Sequence, residues 1–452
     1  MNKKQIFSTA LFAASLLSAN GVMAQERLTR GEGDTIHLTL DQAIRVALDQ
    51  NPTVVVDSME VLRTNYVKKQ TLANLYPSVS FDGSLSHTIK KQTISMMGQT
   101  IEMGSSNNVS FGFNAGMPLI NVPLWKSIKL TEETILQKRE EARETKINMV
   151  STITEAYYAL LNAKDSYKVL LSSWDVAKEN LRITRKRFET GLTSEYDTIQ
   201  ASVQVKSIEP SMIAAKRGID LATQQLKILM GVPDNYPITV DGSLADYEAN
   251  MFNDIQLSDL DTTLNDNPAM RQIDAATRLL KRQLEVTKAQ WYPTLSLSAM
   301  YNWIGMSEDL GDVTSDMKPY STVGVSLSFP LFKGLGRYYK QKEAEVQYNE
   351  MKFTREDTKR QLKLGLQSSI NNLGVAIETI NSTKANVASA QKGLEISQKR
   401  YEVGAGTTLE LTSSQNALTS ARLRYLQAIY DYIVAKDQVD KMLGNAYNQF
   451  IQ

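Results

Sequence analysis

Strict alternation of apolar and polar positions marks four short stretches of this chain. Over 78–86, Val79, Phe81 and Leu85 alternate with Ser78, Ser80, Asp82, Ser84 and Ser86. Over 108–117, Val109, Phe111, Phe113, Ala115 and Met117 oppose Asn108, Ser110, Gly112, Asn114 and Gly116. Over 294–303, Leu295, Leu297, Ala299, Tyr301 and Trp303 oppose Ser296, Ser298 and Asn302, and Met300 breaks the polar row. Over 322–329, Val323, Val325, Leu327 and Phe329 oppose Thr322, Gly324, Ser326 and Ser328. A period of two predicts strands that face two different environments. Each run is close to the about 9–11 residues that a tilted strand needs to cross a bilayer. Small polar side chains suit a wet lumen, and an apolar row suits lipid. Tyr76, Trp125, Trp291, Tyr292, Trp303 and Tyr320 crowd the run ends, as interfacial aromatic girdles do. A soluble sandwich alternates in the same way, so the rest of the chain has to discriminate.

Helical signals fill most of the remainder. Residues 127–189 hold neither proline nor glycine, and residues 338–402 hold no proline. At 1.5 Å per residue such helices run roughly 90 Å, about three times a bilayer core. Ile153, Tyr157, Leu160, Tyr167, Leu171, Trp174, Leu181 and Phe188 form a seam with steps of three and four once Lys164, Lys178 and Arg185 fill its vacant positions. Leu366, Ile370, Leu373, Ile377, Ile380, Val387, Leu394 and Tyr401 form a second. Seven-residue spacing predicts left-handed coiling against partner helices. Gly191 and Gly404 follow the seams and read as left-handed turn residues that fold each helix back. Ser194 to Asp197 and Thr407 to Glu410 read as capping boxes opening the returning helices, and Thr39 to Gln42 and Ser258 to Asp261 open the first helix of each half in the same way.

The order of these signals occurs twice. Asn51-Pro52 returns as Asn267-Pro268, and Leu75-Tyr76-Pro77 as Trp291-Tyr292-Pro293. Pro118-Leu119 returns as Pro330-Leu331, and Arg187-Phe188 before Gly191 as Arg400-Tyr401 before Gly404. Each copy reads as helix, two strands, very long helix, glycine turn and helix. Prolines at 77, 118, 293 and 330 read as the points where strand meets helix. Residues 87–107 and 304–319 read as long polar external loops. The predicted organisation is an export signal at 1–24, a first repeat at 25–232, a linker belt at 233–256, a second repeat at 257–444 and a tail at 445–452.

The export signal rests on Lys3 and Lys4, an apolar run over 6–17, and a small residue, Ala24, before Gln25. No other segment reaches the roughly 18 apolar residues of a membrane helix. Lysine plus arginine number 50 against 49 acids in 452 residues, so no basic face for nucleic acid is expected. Cysteine is absent, which removes disulfides and a thiol nucleophile. His37 and His87 are the only histidines, neither with a second ligand at metal spacing, and both read as solvated surface residues. Lys333 to Gly336 lacks the phosphate-loop pattern, and Gly404 to Gly406 lacks the third glycine of a dinucleotide site. No enzyme activity and no cofactor are expected.

An open sheet edge is not tolerated in hydrocarbon, so four strands per chain must be completed by other copies. Two chains give eight strands with a filled interior, whereas three give twelve and room for water. A small polar lining favours three or more. The competing reading is an exported coiled-coil tether without a pore; the barrel-like alternation separates the two.

The duplicated pattern, the Tyr-Pro and Pro-Leu junctions and the Arg-aromatic-x-x-Gly turns together resemble the TolC-like outer-membrane efflux proteins, over nearly the whole chain. The resemblance implies a mainly α protein with β: a long α-helical coiled-coil barrel plus a transmembrane β-barrel shared between chains. It implies a homotrimer in outer-membrane lipid of a Gram-negative-type cell, extending into the periplasm. Its partners would be a periplasmic adaptor and an inner-membrane pump of an efflux or type I secretion system. By the same resemblance, Gly191, Leu192, Asp197, Gly404 and Ala405 would form adaptor-contact tips, and Tyr401 and Glu410 the entrance. Ser80, Asp82, Ser84, Ser110, Asn114, Ser296, Ser298, Ser326 and Ser328 would line the barrel lumen. Two positions depart from the pattern, since Gly406 stands where relatives often carry a gate arginine and Ser413 where they carry a second acid. For Asp197 and Glu410 helix capping alone is a sufficient role, as acids stabilise a helix start by about 0.3–1 kcal/mol.

Overall fold

The computed structural model describes residues 36–96, 99–248, 263–315 and 317–444. The predicted export signal, the capping box at Ser258 and the tail at 445–452 lie outside the described residues.

Strand β1 (Ile36–Leu38) and helix α1 (Leu40–Gln50) lead into α2 (Pro52–Ala73). Strand β2 (Ser78–His87), a hairpin of β3 (Gln92–Met96) and β4 (Gln99–Met103), and β5 (Asn107–Asn121) follow. Helix α3 (Val122–Glu189) is 68 residues long and folds back into α4 (Glu195–Met230). Between the two stretches lie β6 (Ile238–Val240) and α5 (Leu244–Glu248). The second stretch comprises α6 (Pro268–Ala289), β7 (Thr294–Ser307), β8 (Lys318–Ser328), α7 (Gly336–Glu402) and α8 (Thr408–Leu443). None of these helices is long and apolar enough to cross a membrane.

The repeated Asn-Pro dipeptide has a structural cause. Asn51 and Asn267 are buried N-caps, each followed by proline in the first helical turn, where its missing N–H costs nothing. Each asparagine accepts from its own helix through Oδ1 and donates through Nδ2 to the end of a distant helix. Asn51 reaches Leu229 O at 2.8 Å, and Asn267 reaches Met442 O at 2.7 Å. Those distant helices, α4 and α8, end in left-handed Gly231 and Gly444. One joint thus seals a helix start and a helix end together, once in each stretch.

The main core lies where these joints meet the belt. Ile147, Val150, Ile153 and Leu160 of α3 pack with Ile44 of α1, Leu226 of α4, Ile380 of α7 and Tyr432 of α8. Parallel strands β1 and β6 close over them, and Tyr157 donates from its hydroxyl to Asp241 O at 3.1 Å. The described part of the predicted linker, 233–248, thus carries β6, which pairs with β1, and the short helix α5, both packed on the long helices. Above the core, α3 and α6 run antiparallel with a ladder of ion pairs. Lys126 meets Glu285 at 3.0 Å, Glu133 meets Arg282 at 3.3 Å, and Arg271 meets Glu140 at 2.7 Å. Such pairs contribute at most about 1 kcal/mol each, so they fix register more than stability.

Four expectations need correcting. Pro118 does not end a strand. The register between β5 and β7 shifts between Pro118 and Ile120, so the strand bulges there and continues to Asn121. Proline fits because a bulge does not demand its missing N–H. Residues 87–107 are not merely a loop, since β3 and β4 pair within them. Residues 304–319 begin as strand to Ser307, and Val313 folds back, buried, onto Gly305. The seam on α3 also loses cover toward the turn. Phe188 is 42% exposed, whereas Ala177 and Thr184 are buried. An untwisted helix drifts about 20° per heptad, which moves burial to the neighbouring row.

Candidate functional site

The barrel-type sheet has the order β2-β5-β7-β8, antiparallel throughout. Directly paired residues share a face. One face carries Ser80 beside Asn114, Ser84 beside Ser110, Ser298 beside Gly324 and Ser296 beside Ser326. Asp82 joins it in a row with Gly112, Asn302 and Tyr320, and Ser328 joins it beside Thr294. The polar side chains bond to one another. Ser80 Oγ and Asn114 Nδ2 both donate to Asp82 Oδ2 at 2.7 Å, and the Ser84 and Ser110 hydroxyls are 2.8 Å apart. The opposite face is aromatic, with Phe81 against Phe113 at 5.1 Å and Tyr301 against Trp303 at 4.7 Å between ring centroids. The bulge at Pro118 serves this division. It adds Leu119 to β5, so that Ile120 pairs with Leu295 and stays on the apolar face.

Sequence reading put Tyr320 among interfacial aromatics, and the register puts it on the polar face instead. Asn302 Nδ2 donates to its hydroxyl at 3.2 Å. Its even position, in step with Thr322, was the available signal. Ile304 and Lys318 also share that face with Ser110, so it is less uniformly small than predicted.

At the opposite end of the long helices are the two glycine turns. Gly191 has φ 72° and Gly404 φ 77°, the left-handed region that L side chains disfavour. Gly191 N donates to Phe188 O at 2.9 Å and Leu192 N to Arg187 O at 2.8 Å. Ala405 N donates to Arg400 O at 2.8 Å in the second turn. Leu192, Val403 and Leu409 stand out into solvent, each more than 70% exposed. None of the three is part of the core.

Ser194 and Asp197 form the predicted reciprocal box, with the serine hydroxyl 2.7 Å from Asp197 Oδ2. The second box is only half made. Thr407 Oγ1 accepts from Glu410 N at 3.2 Å, but the Glu410 carboxylate lies 3.6 Å from the Arg400 guanidinium instead of returning to the cap. Arg400 also donates to Ala405 O at 3.2 Å. A side chain at Gly406 would place its Cβ 3.1 Å from Tyr401 N, so Arg400, not position 406, supplies the guanidinium of this turn. Tyr401 sits between the hairpins. Its hydroxyl is 3.4 Å from Thr184 Oγ1, and Arg187 lies over its ring at 5.1 Å. Beside it a cavity of about 10 Å³ is lined by Thr184, Gln204, Tyr401, Thr408 and Gln415, large enough for one water at most.

The Ser194 hydroxyl, with a smaller contribution from Thr408, holds Asp197 below the usual carboxylate range against a mild opposing effect of burial. A depressed carboxyl contributes stability above its unfolded value, about pH 4, and loses it as pH falls through the folded one. Hydrogen exchange at 191–197 is therefore expected to show protection that weakens on acidification below that range. Asp197→Asn should flatten the response; equal acid sensitivity in the variant would remove this role. The two histidines are hydrogen-bonded, His37 to Asp241 at 2.5 Å and His87 to Asn107 at 2.7 Å. Among the described residues no group of acids and histidines could hold a metal ion.

A two-faced barrel-type sheet joined to helices of this length defines an outer-membrane channel protein with a helical extension. Residues 43–232 and 260–445 match the outer membrane efflux protein family. The chain is 21% identical to outer membrane protein TolC of Vibrio cholerae serotype O1 over 349 residues, 76% of this chain and 78% of that protein. It is 22% identical to the alkaline protease secretion protein AprF of Pseudomonas aeruginosa, over 70% of this chain and 66% of that one. The crystal structure of the Campylobacter jejuni CmeC outer membrane channel shares the fold, with TM-score 0.74 and 17% identity across 92% of this chain and 90% of that one. The chain belongs to the outer membrane efflux protein family, and its place is the outer membrane.

Proposed function

We propose that three copies of this chain close a twelve-stranded barrel and act as the passive exit duct of a tripartite efflux or type I secretion system. The observation that carries the reading is the sheet itself: polar on one face, apolar on the other, with β2 and β8 as its outer strands. In hydrocarbon both outer strands need partners. Because β2 and β8 run in opposite directions, β8 of one copy continues the antiparallel alternation against β2 of the next. Ser80, Asp82, Ser84, Ser110, Asn114, Ser296, Ser298, Ser326 and Ser328 then line the lumen. A pore-free tether accounts for the helices but leaves the two-faced sheet without a use.

A periplasmic adaptor engages the turns at Gly191, Leu192, Asp197, Gly404 and Ala405, and an inner-membrane pump supplies the energy. Tyr401 and Glu410 belong to the closed entrance, where Tyr401 bridges the hairpins through Thr184 and Arg187. Opening separates these contacts, so the adaptor must bind the open packing more strongly than the closed one. Both kinds of traffic are represented among the relatives, and the cargo is set by the pump.

Two measurements test this. Chemical cross-linking in detergent should give trimers and nothing larger; a monomer soluble without detergent would end the reading. Replacing Gly191 or Gly404 by tryptophan should abolish restored efflux in a strain lacking its own copy, with trimers intact. Normal efflux from both variants would defeat the tip assignment.

A further inference from the structure

Asp82 is the only carboxylate on the four strands β2, β5, β7 and β8. It lies on the polar face, midway along β2, in one row with Gly112, Asn302 and Tyr320. Its neighbours orient it without neutralising it. Ser80 and Asn114 are uncharged donors, and both bind the same oxygen, Oδ2. Among the described residues Oδ1 has no protein donor and no cation pairs with the group. The rest of the row packs closely. A Cβ at Gly112 would fall 2.0 Å from Asn302 Oδ1, so Asn302 lies flat over that glycine and reaches on to Tyr320. Ionisable side chains at membrane depth are costly and face water-filled passages. A ring of carboxylates there, between low-dielectric walls, concentrates cations and repels anions.

We propose that Asp82 is the charge-selecting residue of the outer-membrane section of the pore, repeated as a ring by the copies that share the barrel. The assignment rests on the shared channel proposed above. Lys318, which has a contact of its own, stands on the same face one polar row nearer the outer end and opposes it.

The test is the reversal potential of single channels in planar bilayers under a potassium chloride gradient. The Glu410→Gln background keeps the periplasmic entrance from masking the barrel. Asp82→Asn should lower the cation-to-anion permeability ratio toward one, and Lys318→Gln should raise it. Asp82→Lys should carry the preference over to anions. Each variant is first shown to keep the oligomer and to give discrete single-channel currents. An unchanged reversal potential in Asp82→Asn and Asp82→Lys channels would overturn this assignment alone. Absence of discrete channel currents from the unmutated protein would overturn the channel reading, and the ring with it.

Discussion

Gly444→Ala is expected to lose several kilocalories per mole of stability, whereas Gly404→Ala loses about 1 kcal/mol, the ordinary cost of left-handed backbone. Both glycines have φ above 70°, so the backbone cost is shared. The difference is what the new methyl group meets. At Gly404 nothing lies within 4 Å, but at Gly444 the Cβ would lie 2.1 Å from Asp266 O and 3.3 Å from Asn267 N. These are backbone atoms at the joint between α8 and α6, and they cannot swing aside. To make room the joint must open. It then loses the bond from Asn267 to Met442 O and those from Arg143 to Asp266 O and Gly444 O. A buried carbonyl left without its donor costs about 1–3 kcal/mol, and the backbone cost adds to that. Gly231→Ala should behave likewise, with its Cβ 2.6 Å from Gln50 O, though less severely. The measurement is the temperature at which the detergent-solubilised oligomer dissociates, compared across the three variants. Equal shifts for Gly444→Ala and Gly404→Ala would show that the joints are not the weak points.

Val323→Arg should prevent accumulation of the oligomer in the membrane, while Thr322→Arg leaves it assembled and changes its conductance. The two residues are adjacent near the middle of β8, so they share depth and differ only in face. Val323 pairs with Ala299, which pairs with Ala115 on the apolar side, and is 74% exposed in a single chain. An arginine on the lipid face at the bilayer midplane costs about 2–4 kcal/mol, once for every copy in the assembly. Thr322 pairs with Met300 in the row of Ser80 and Asn114, where an arginine would meet water. Membrane fractionation followed by electrophoresis of unheated samples reads both outcomes. Similar oligomer yields for the two variants would mean that the faces have been assigned the wrong environments.

Sequence and structure diverge most where two elements distant along the chain share one atom. The Asn-Pro repeat was visible, but not that Asn51 caps one helix and ties off another 178 residues away. Thr407 to Glu410 read as a complete box, yet the Glu410 carboxylate stands 3.6 Å from the guanidinium of Arg400, a residue of the preceding helix, and the box stays half made. Tyr320 was misassigned for a different reason. Its place beside a proline and a predicted loop hid the fact that β8 already begins at Lys318.

The sequence by itself determined the two-faced strands, the lengths of the long helices, and the turns at Gly191 and Gly404. The strands and helices depend on repeat distances of the backbone, a period of two or of three to four residues, and the turns on the left-handed backbone that glycine adopts without strain; both hold whatever surrounds the segment. Only the tertiary structure decided the bulge at Pro118, the sealed joints at Gly231 and Gly444, and the carboxylate of Asp82 held by Asn114 from the neighbouring strand. These depend on which groups long-range closure brings within hydrogen-bonding distance, and local periodicity carries no record of that.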